Sequence, residues 1–204
     1  MRGRLISGRE TLRACPRAII ADLMPFDFQP LDIPGLVLVR PRVFADARGS
    51  FMESWRRDEF ERAGIRAEFI QDNVAVSTQR GVLRGLHFQR DPNSQAKLVR
   101  CVQGRVFDVA VDLRPGSPTR GKYVAVELGE ESPALLFVPR GFAHGYVTLT
   151  GQAVVEYKVD APYSPAAEGG VAWDDPALGI AWPVKEPLLS DRDRAWPLFL
   201  ELKA

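Results

Sequence analysis

Cysteine and histidine are both scarce in this chain: 204 residues carry two of each. Cys15 and Cys101 stand far apart, with no Cys-x-x-Cys spacing. So sparse a pair excludes a disulfide framework and points to a reducing, cytoplasmic compartment. Long apolar runs are also missing. None approaches the ~20 residues that a membrane-spanning helix needs, so no membrane association is expected. An excess of one charge is missing too: 27 Lys and Arg face 26 Asp and Glu, for a formal net charge of +1. That balance argues against a nucleic-acid partner, which requires a broad basic face. It leaves room for a local basic pocket that receives one phosphorylated ligand. The N-terminus is basic, at Arg2, Arg4, Arg9, Arg13 and Arg17, but has no apolar segment of the kind that marks a secretory signal. Residues 1–23 read as a loose or non-native extension, with Met24 as an alternative start and a transit peptide as the other compositional reading. Residues 24–204 read as a single domain.

What is present is a succession of short β-rich runs. Strands are expected over Leu36–Arg40, Phe69–Ser77, Val82–Gln89, Lys97–Val102 and Arg105–Leu113. Four more follow at Tyr123–Leu128, Leu135–Val138, Ala143–Leu149 and Ala153–Val159. Gln103-Gly104, Leu128-Gly129-Glu130 and the segment Arg114-Pro115-Gly116-Ser117-Pro118 carry turn chemistry. One early helix is expected at Asp58–Ala63, with Asp58 as N-cap and Gly64 just past the C-terminus. Strands and helices do not alternate, so a parallel doubly wound sheet is not expected. Many short strands with Gly and Pro between them mean a sandwich or a barrel. The last ~40 residues hold Trp173, Trp182 and Trp196. They are expected to wrap the β structure, with a short helix near Ser190.

The two histidines are the first residues to weigh for chemistry. His87 lies in Gly85-Leu86-His87-Phe88-Gln89, close to Arg84, and His144 lies in Pro139-Arg140-Gly141-Phe142-Ala143-His144-Gly145. Each is flanked by glycine in a β segment, where glycine often marks close approach of a ligand. The Pro-x-Gly-x-x-His spacing resembles the second motif of the cupin barrels. Metal-binding cupins also need a His-x-His pair, and here His87 is followed by Phe88 and Gln89. Two histidines so placed do not make a three-histidine metal site, so no metal is expected.

Longer motifs follow in order. They run Asp46-Ala-Arg48-Gly49-Ser-Phe51-Met-Glu53, Gln71-Asp72-Asn73, Gly81-Val-Leu-Arg84-Gly-Leu-His87-Phe-Gln89 and Gln95-Ala-Lys97-Leu-Val. Next come Asp108-Val-Ala-Val-Asp112-Leu-Arg114-x-Gly116-Ser117-Pro118-Thr119, Gly141-Phe-Ala-His144-Gly, Tyr157-Lys158 and Tyr163-Ser164-Pro165-x-x-Glu168. Together, over about Pro30 to Leu198, they resemble the dTDP-4-dehydrorhamnose 3,5-epimerases, cupin-fold enzymes of dTDP-L-rhamnose synthesis. The resemblance implies a mainly β fold, the cupin double-stranded β-helix or jelly roll, with short peripheral helices.

It also implies a dTDP-sugar substrate, no cofactor and a homodimer. The family's reaction inverts carbons beside a ketone, which calls for a base on one face, an acid on the other and a cation for the oxyanion. By resemblance the base falls on His87, the acid on Tyr157, the oxyanion's cation on Lys97 and the carboxylate that orients the base on Asp193. His144 and Asp108 fall beside the sugar. Arg48, Glu53, Gln71, Asp72, Asn73, Arg84, Glu168 and Arg192 fall among the nucleotide-sugar contacts, and Tyr163 on the ring that stacks against thymine. Arg48 and Glu53 are the candidates for contacts donated by a partner chain. Taken singly, each has a plainer reading: His87 as a core histidine, Tyr157 as a lining aromatic, Lys97 and Asp108 as solvated charges, Asp193 as part of a helix cap. An epimerase acting at one carbon and a binding module without turnover remain alternatives. A binding module, however, has no need of an acid and a base together.

Overall fold

The computed structural model describes residues 24–202, and its elements are strands with little helix. Thirteen strands are β1 (Phe26–Pro30), β2 (Val37–Pro41), β3 (Val43–Asp46), β4 (Gly49–Met52), β5 (Gln71–Ser77), β6 (Leu83–Gln89), β7 (Lys97–Gln103), β8 (Arg105–Asp112), β9 (Tyr123–Gly129), β10 (Leu135–Val138), β11 (Phe142–Thr148), β12 (Ala153–Val159) and β13 (Glu168–Gly170). Helices α1 (Arg57–Arg62) and α2 (Asp191–Arg194) are one turn or slightly more. A six-stranded sheet runs β1-β2-β10-β7-β12-β5 and a five-stranded sheet runs β13-β6-β11-β8-β9, with every strand pair antiparallel. This is the expected jelly roll. The residue 1–23 extension lies outside the described residues. Among these, no helix is long and apolar enough to cross a membrane.

The period-two alternation of strands distributes side chains among three apolar clusters. On β7, Val99 and Cys101 face the space between the sheets, whereas Leu98 joins a second cluster with Phe26, Phe60 and Phe137. On β8, Val106 and Ala110 face inward, whereas Val109 and Val111 meet Leu178 and Phe199 from the C-terminal wrap. Both faces of β8 are therefore covered, which is why it reads in sequence as a continuous apolar run.

Several expectations need adjusting. Helix α1 begins one residue early, with Arg56 at the N-cap, so Asp58 is not a cap. It sits in the acidic first turn, where it complements the helix dipole, and pairs with Arg62 at 2.5 Å. Gly64 does take the left-handed conformation expected past the helix end, with φ of +87°. Strand β1 was not expected, because its buried Phe26 precedes the point at which the sequence turns β-rich. The β3–β4 hairpin is exposed on nearly every residue, and so leaves no alternation to read. The three-residue β13 is too short to carry a pattern.

Candidate active site

A cavity of about 470 Å³ opens between the two sheets and is closed on one side by the segment leading into α2. From the five-stranded sheet it receives Arg84 and His87 of β6 and His144 and Tyr146 of β11. From the six-stranded sheet it receives Lys97 of β7, Tyr157 of β12 and Ala75 of β5. Leu188, Leu189, Ser190, Arg192 and Asp193 line it from the C-terminal segment. His87 and Tyr157 thus reach one space from opposite sheets.

The two histidines are register partners on adjacent strands. The glycines beside them do mark a close approach, but by backbone and not by ligand. A Cβ on Gly85 would lie 2.6 Å from the Gly145 Cα, and a Cβ on Gly145 would lie 2.7 Å from the Arg84 carbonyl oxygen. The strands come this near at the irregularity between His144 and Tyr146.

Each imidazole holds a carboxylate. His87 Nε2 lies 2.5 Å from Asp193 Oδ1. His144 Nε2 lies 2.8 and 3.0 Å from the two oxygens of Asp108. A carboxylate accepts, so the proton of each bond sits on Nε2 and leaves Nδ1 as the basic nitrogen. Asp193 is 4% exposed. Burial pushes its pKa up, but bonds from His87, the Ser190 capping group and Trp196 outweigh this and hold it below the ordinary value. Trp196 Nε1 donates to the same Oδ1 at 3.3 Å, and the Asp193 amide donates to the Ser190 hydroxyl at 3.1 Å. The helix cap is therefore made by Ser190, and the Asp193 carboxylate meets His87 and Trp196. The Trp196 indole reaches it by lying against Gly170, where a Cβ would come within 2.2 Å of the ring.

Lys97 stands on the opposite wall, its Nζ 6.0 Å from the centre of the Tyr157 ring. Enclosure by protein lowers its pKa to about 8, against the opposing pull of Asp108 and Glu168. Burial raises the Tyr157 phenol, partly countered by Arg84, so it stays protonated at neutral pH. Asp108 is fully buried in mid-strand, which removes the reading of it as a solvated charge. At the rim, Arg192 pairs with Glu168 at 2.9 Å, and the Tyr163 hydroxyl donates to Glu168 at 3.0 Å. The Tyr163 ring is about half exposed.

Other sequence candidates lie apart from the cavity lining. Gln71 and Asn73 bond each other at 2.8 Å on the face of β5 that carries Ala75. Asp72 is on the opposite face, paired with Lys158 at 2.8 Å. Arg48 pairs with Asp46 in the β3–β4 hairpin, and Glu53 lies 3.4 Å from Arg56. Tyr146 was not picked out from the sequence, and Trp196 was read only as part of the C-terminal wrap. The spacing of Ser190 to Asp193 did flag the helix start, with Ser190 at the N-cap, whereas a strand tyrosine and a late tryptophan carry no local signal. Among the described residues, no group of three or more His, Cys, Asp or Glu is placed to hold a metal ion.

A family model described as dTDP-4-dehydrorhamnose 3,5-epimerase matches residues 30–201. The enzyme of that name from Sinorhizobium fredii is 50% identical over 176 residues, which cover 86% of this chain and 90% of that protein. Among solved structures, dTDP-4-dehydrorhamnose 3,5-epimerase from Bacillus anthracis, with TDP and PPi bound, aligns with a TM-score of 0.83 at 43% identity. That alignment covers 85% of this chain and 99% of the other. A Legionella pneumophila dTDP-6-deoxy-D-glucose-3,5-epimerase in complex with dTDP-4-keto-L-rhamnose aligns with a TM-score of 0.84 at 39% identity, over 87% of this chain and 95% of the other.

Proposed function

The chain belongs to the dTDP-4-dehydrorhamnose 3,5-epimerase family, and from that premise we propose that it epimerises C3 and C5 of dTDP-4-keto-6-deoxy-glucose to give dTDP-4-keto-L-rhamnose. The observation that carries the reading is the placement of His87 and Tyr157 on opposite walls of one cavity, with Lys97 beside the phenol. Inversion needs a proton removed from one face of a carbon and returned to the other.

In this reading Nδ1 of His87 takes the proton from the carbon next to the ketone. The C–H electron pair moves into the C4 oxygen as an enolate. Asp193 accepts from Nε2 of the resulting imidazolium and stabilises its charge, as carboxylates do beside other catalytic histidines. The Lys97 ammonium faces the developing oxyanion in a partly dry site, where charge is worth more than in water. Tyr157 returns a proton on the opposite face, and the enolate collapses to the inverted ketone. Solvent then takes the proton from His87 and recharges Tyr157, and repetition at the second flanking carbon completes the product. His144, held by Asp108, contacts the sugar. The exposed cations Arg84 and Arg192 meet the diphosphate, and Tyr163 stacks on thymine.

A homodimer supplies the remaining contacts. Strand β5 is the edge of its sheet and exposes Val74 and Val76, and the β3–β4 hairpin exposes Phe44 and Phe51. Arg48 and Glu53 on and beside that hairpin are absent from this chain's own cavity lining, which fits donation to a partner's site. The sparse cysteines fit a cytoplasmic location. The deciding experiment is incubation with dTDP-4-keto-6-deoxy-glucose in deuterated buffer, read by NMR. Label at both C3 and C5 supports the proposal. Label at one carbon makes the chain a single-site epimerase, and no label makes it a binding protein.

A further inference from the structure

Tyr146 lines the cavity yet has no part in the chemistry assigned above. It is 4% exposed, and its hydroxyl oxygen is buried without a hydrogen-bond partner. Buried hydroxyls are almost always partnered, so an unpartnered one beside a binding cavity points to a ligand. The acceptors around it are engaged by other donors. Both oxygens of Asp108, its register partner on β8, receive His144 Nε2. The Ser77 hydroxyl accepts from Arg84 Nε at 3.4 Å. Ser77 comes near enough to affect the phenol's titration, but no bond of ordinary geometry joins the two.

We infer that the Tyr146 hydroxyl donates a hydrogen bond to an oxygen of the bound sugar, at the floor of the cavity. Its position decides between the sugar and the diphosphate. The ring belongs to the inter-sheet cluster with Val99 and Val155, against which Tyr157 packs. This is the deep end of the cavity. The exposed Arg192 on α2 marks the rim, where a diphosphate finds charge and water together. Burial raises the Tyr146 phenol to about 12, so it is a neutral donor throughout the working range. The inference rests on the sugar-nucleotide reading but not on turnover.

The test compares two probes by calorimetric titration: TDP, and dTDP-L-rhamnose, which carries no ketone and cannot react. Tyr146→Phe should weaken dTDP-L-rhamnose by roughly five- to tenfold, the effect of one ordinary hydrogen bond, and leave TDP within about twofold. Its melting temperature without ligand should hold or rise, because the hydroxyl has no partner to lose. Equal weakening of both probes, weakening of neither, or a lower melting temperature overturns the assignment. A wild-type chain that binds neither probe instead overturns the sugar-nucleotide reading itself.

Discussion

His87 Nε2 and Asp193 Oδ1 meet at 2.5 Å although 106 residues separate them in the chain. Strand β6 supplies the imidazole, and the turn into α2 brings the carboxylate down on it. Asp193→Asn should lower kcat by about two to four orders of magnitude, as loss of the carboxylate behind a catalytic imidazole does elsewhere. The fold should hold, because the Ser190 cap accepts from the Asp193 amide, which the substitution keeps. Turnover and melting temperature measured on the same variant decide it: a less stable but fully active protein would reduce Asp193 to a structural residue.

His87→Asn and Tyr157→Phe should separate proton loss from inversion. The first removes the base, and exchange with deuterated solvent should stop at both carbons. The second leaves the base in place, so exchange on the starting face should outlast net inversion, most clearly at C5. NMR of label and product reads both. Equal loss of exchange and inversion in Tyr157→Phe would assign Tyr157 a packing role.

Lys97 sets a pH limit. Its pKa is lowered to about 8 by enclosure, so the ammonium is present below that pH and is lost above it. The pH profile of kcat/KM, which reports the free enzyme, should therefore fall on the alkaline side near pH 8. Lys97→Arg keeps its charge to far higher pH. Whatever rate it retains should show no such limb, and an unchanged limb would point to another group.

Asp112 bears on stability. It is fully buried and accepts from Arg114 at 2.7 Å, Ser117 at 2.6 Å and Thr119 at 2.6 Å. Burial raises its pKa, but these bonds more than reverse that and hold it well below the usual range. A lowered carboxylate pKa contributes stability that is full above about pH 4 and is lost as the pH falls further. Asp112→Ala should cost about 3 kcal/mol at pH 7, since it strands a partly buried guanidinium and two hydroxyls. Thermal unfolding should show the gap from wild type narrowing below about pH 4.

Val74→Glu tests the dimer. The side chain is exposed on the edge strand β5, so folding should survive. Light scattering should show the mass per particle halved, and activity per chain should fall if Arg48 and Glu53 serve the partner's site. A wild-type monomer with full activity would overturn the dimer.

The sequence was most legible where one physical rule acts alone. Strand β12 was placed at both ends because Val155, Tyr157 and Val159 alternate in sequence with Glu156 and Lys158. The Ser190 turn was legible because capping chemistry is local. The β3–β4 hairpin was not, since exposed strands carry no burial pattern. His87, Lys97, Tyr157 and Asp193, which line one cavity, were singled out through the family resemblance, and not through any property of the individual residues. Tyr146 escaped because its neighbours, Asp108 and Arg84, are set by strand register, which local spacing does not encode.

Gly85 and Gly145 leave no room between the strands that carry the two histidines. Substitution at either would have to push main chain against main chain. Divergence toward other sugars therefore has little purchase on this wall of the site. The changes open to selection lie across the cavity on β5 and β12 away from Tyr157, and in the stretch between Leu188, whose backbone bridges to Val82, and Asp193. A directed-evolution library would be better spent on those positions.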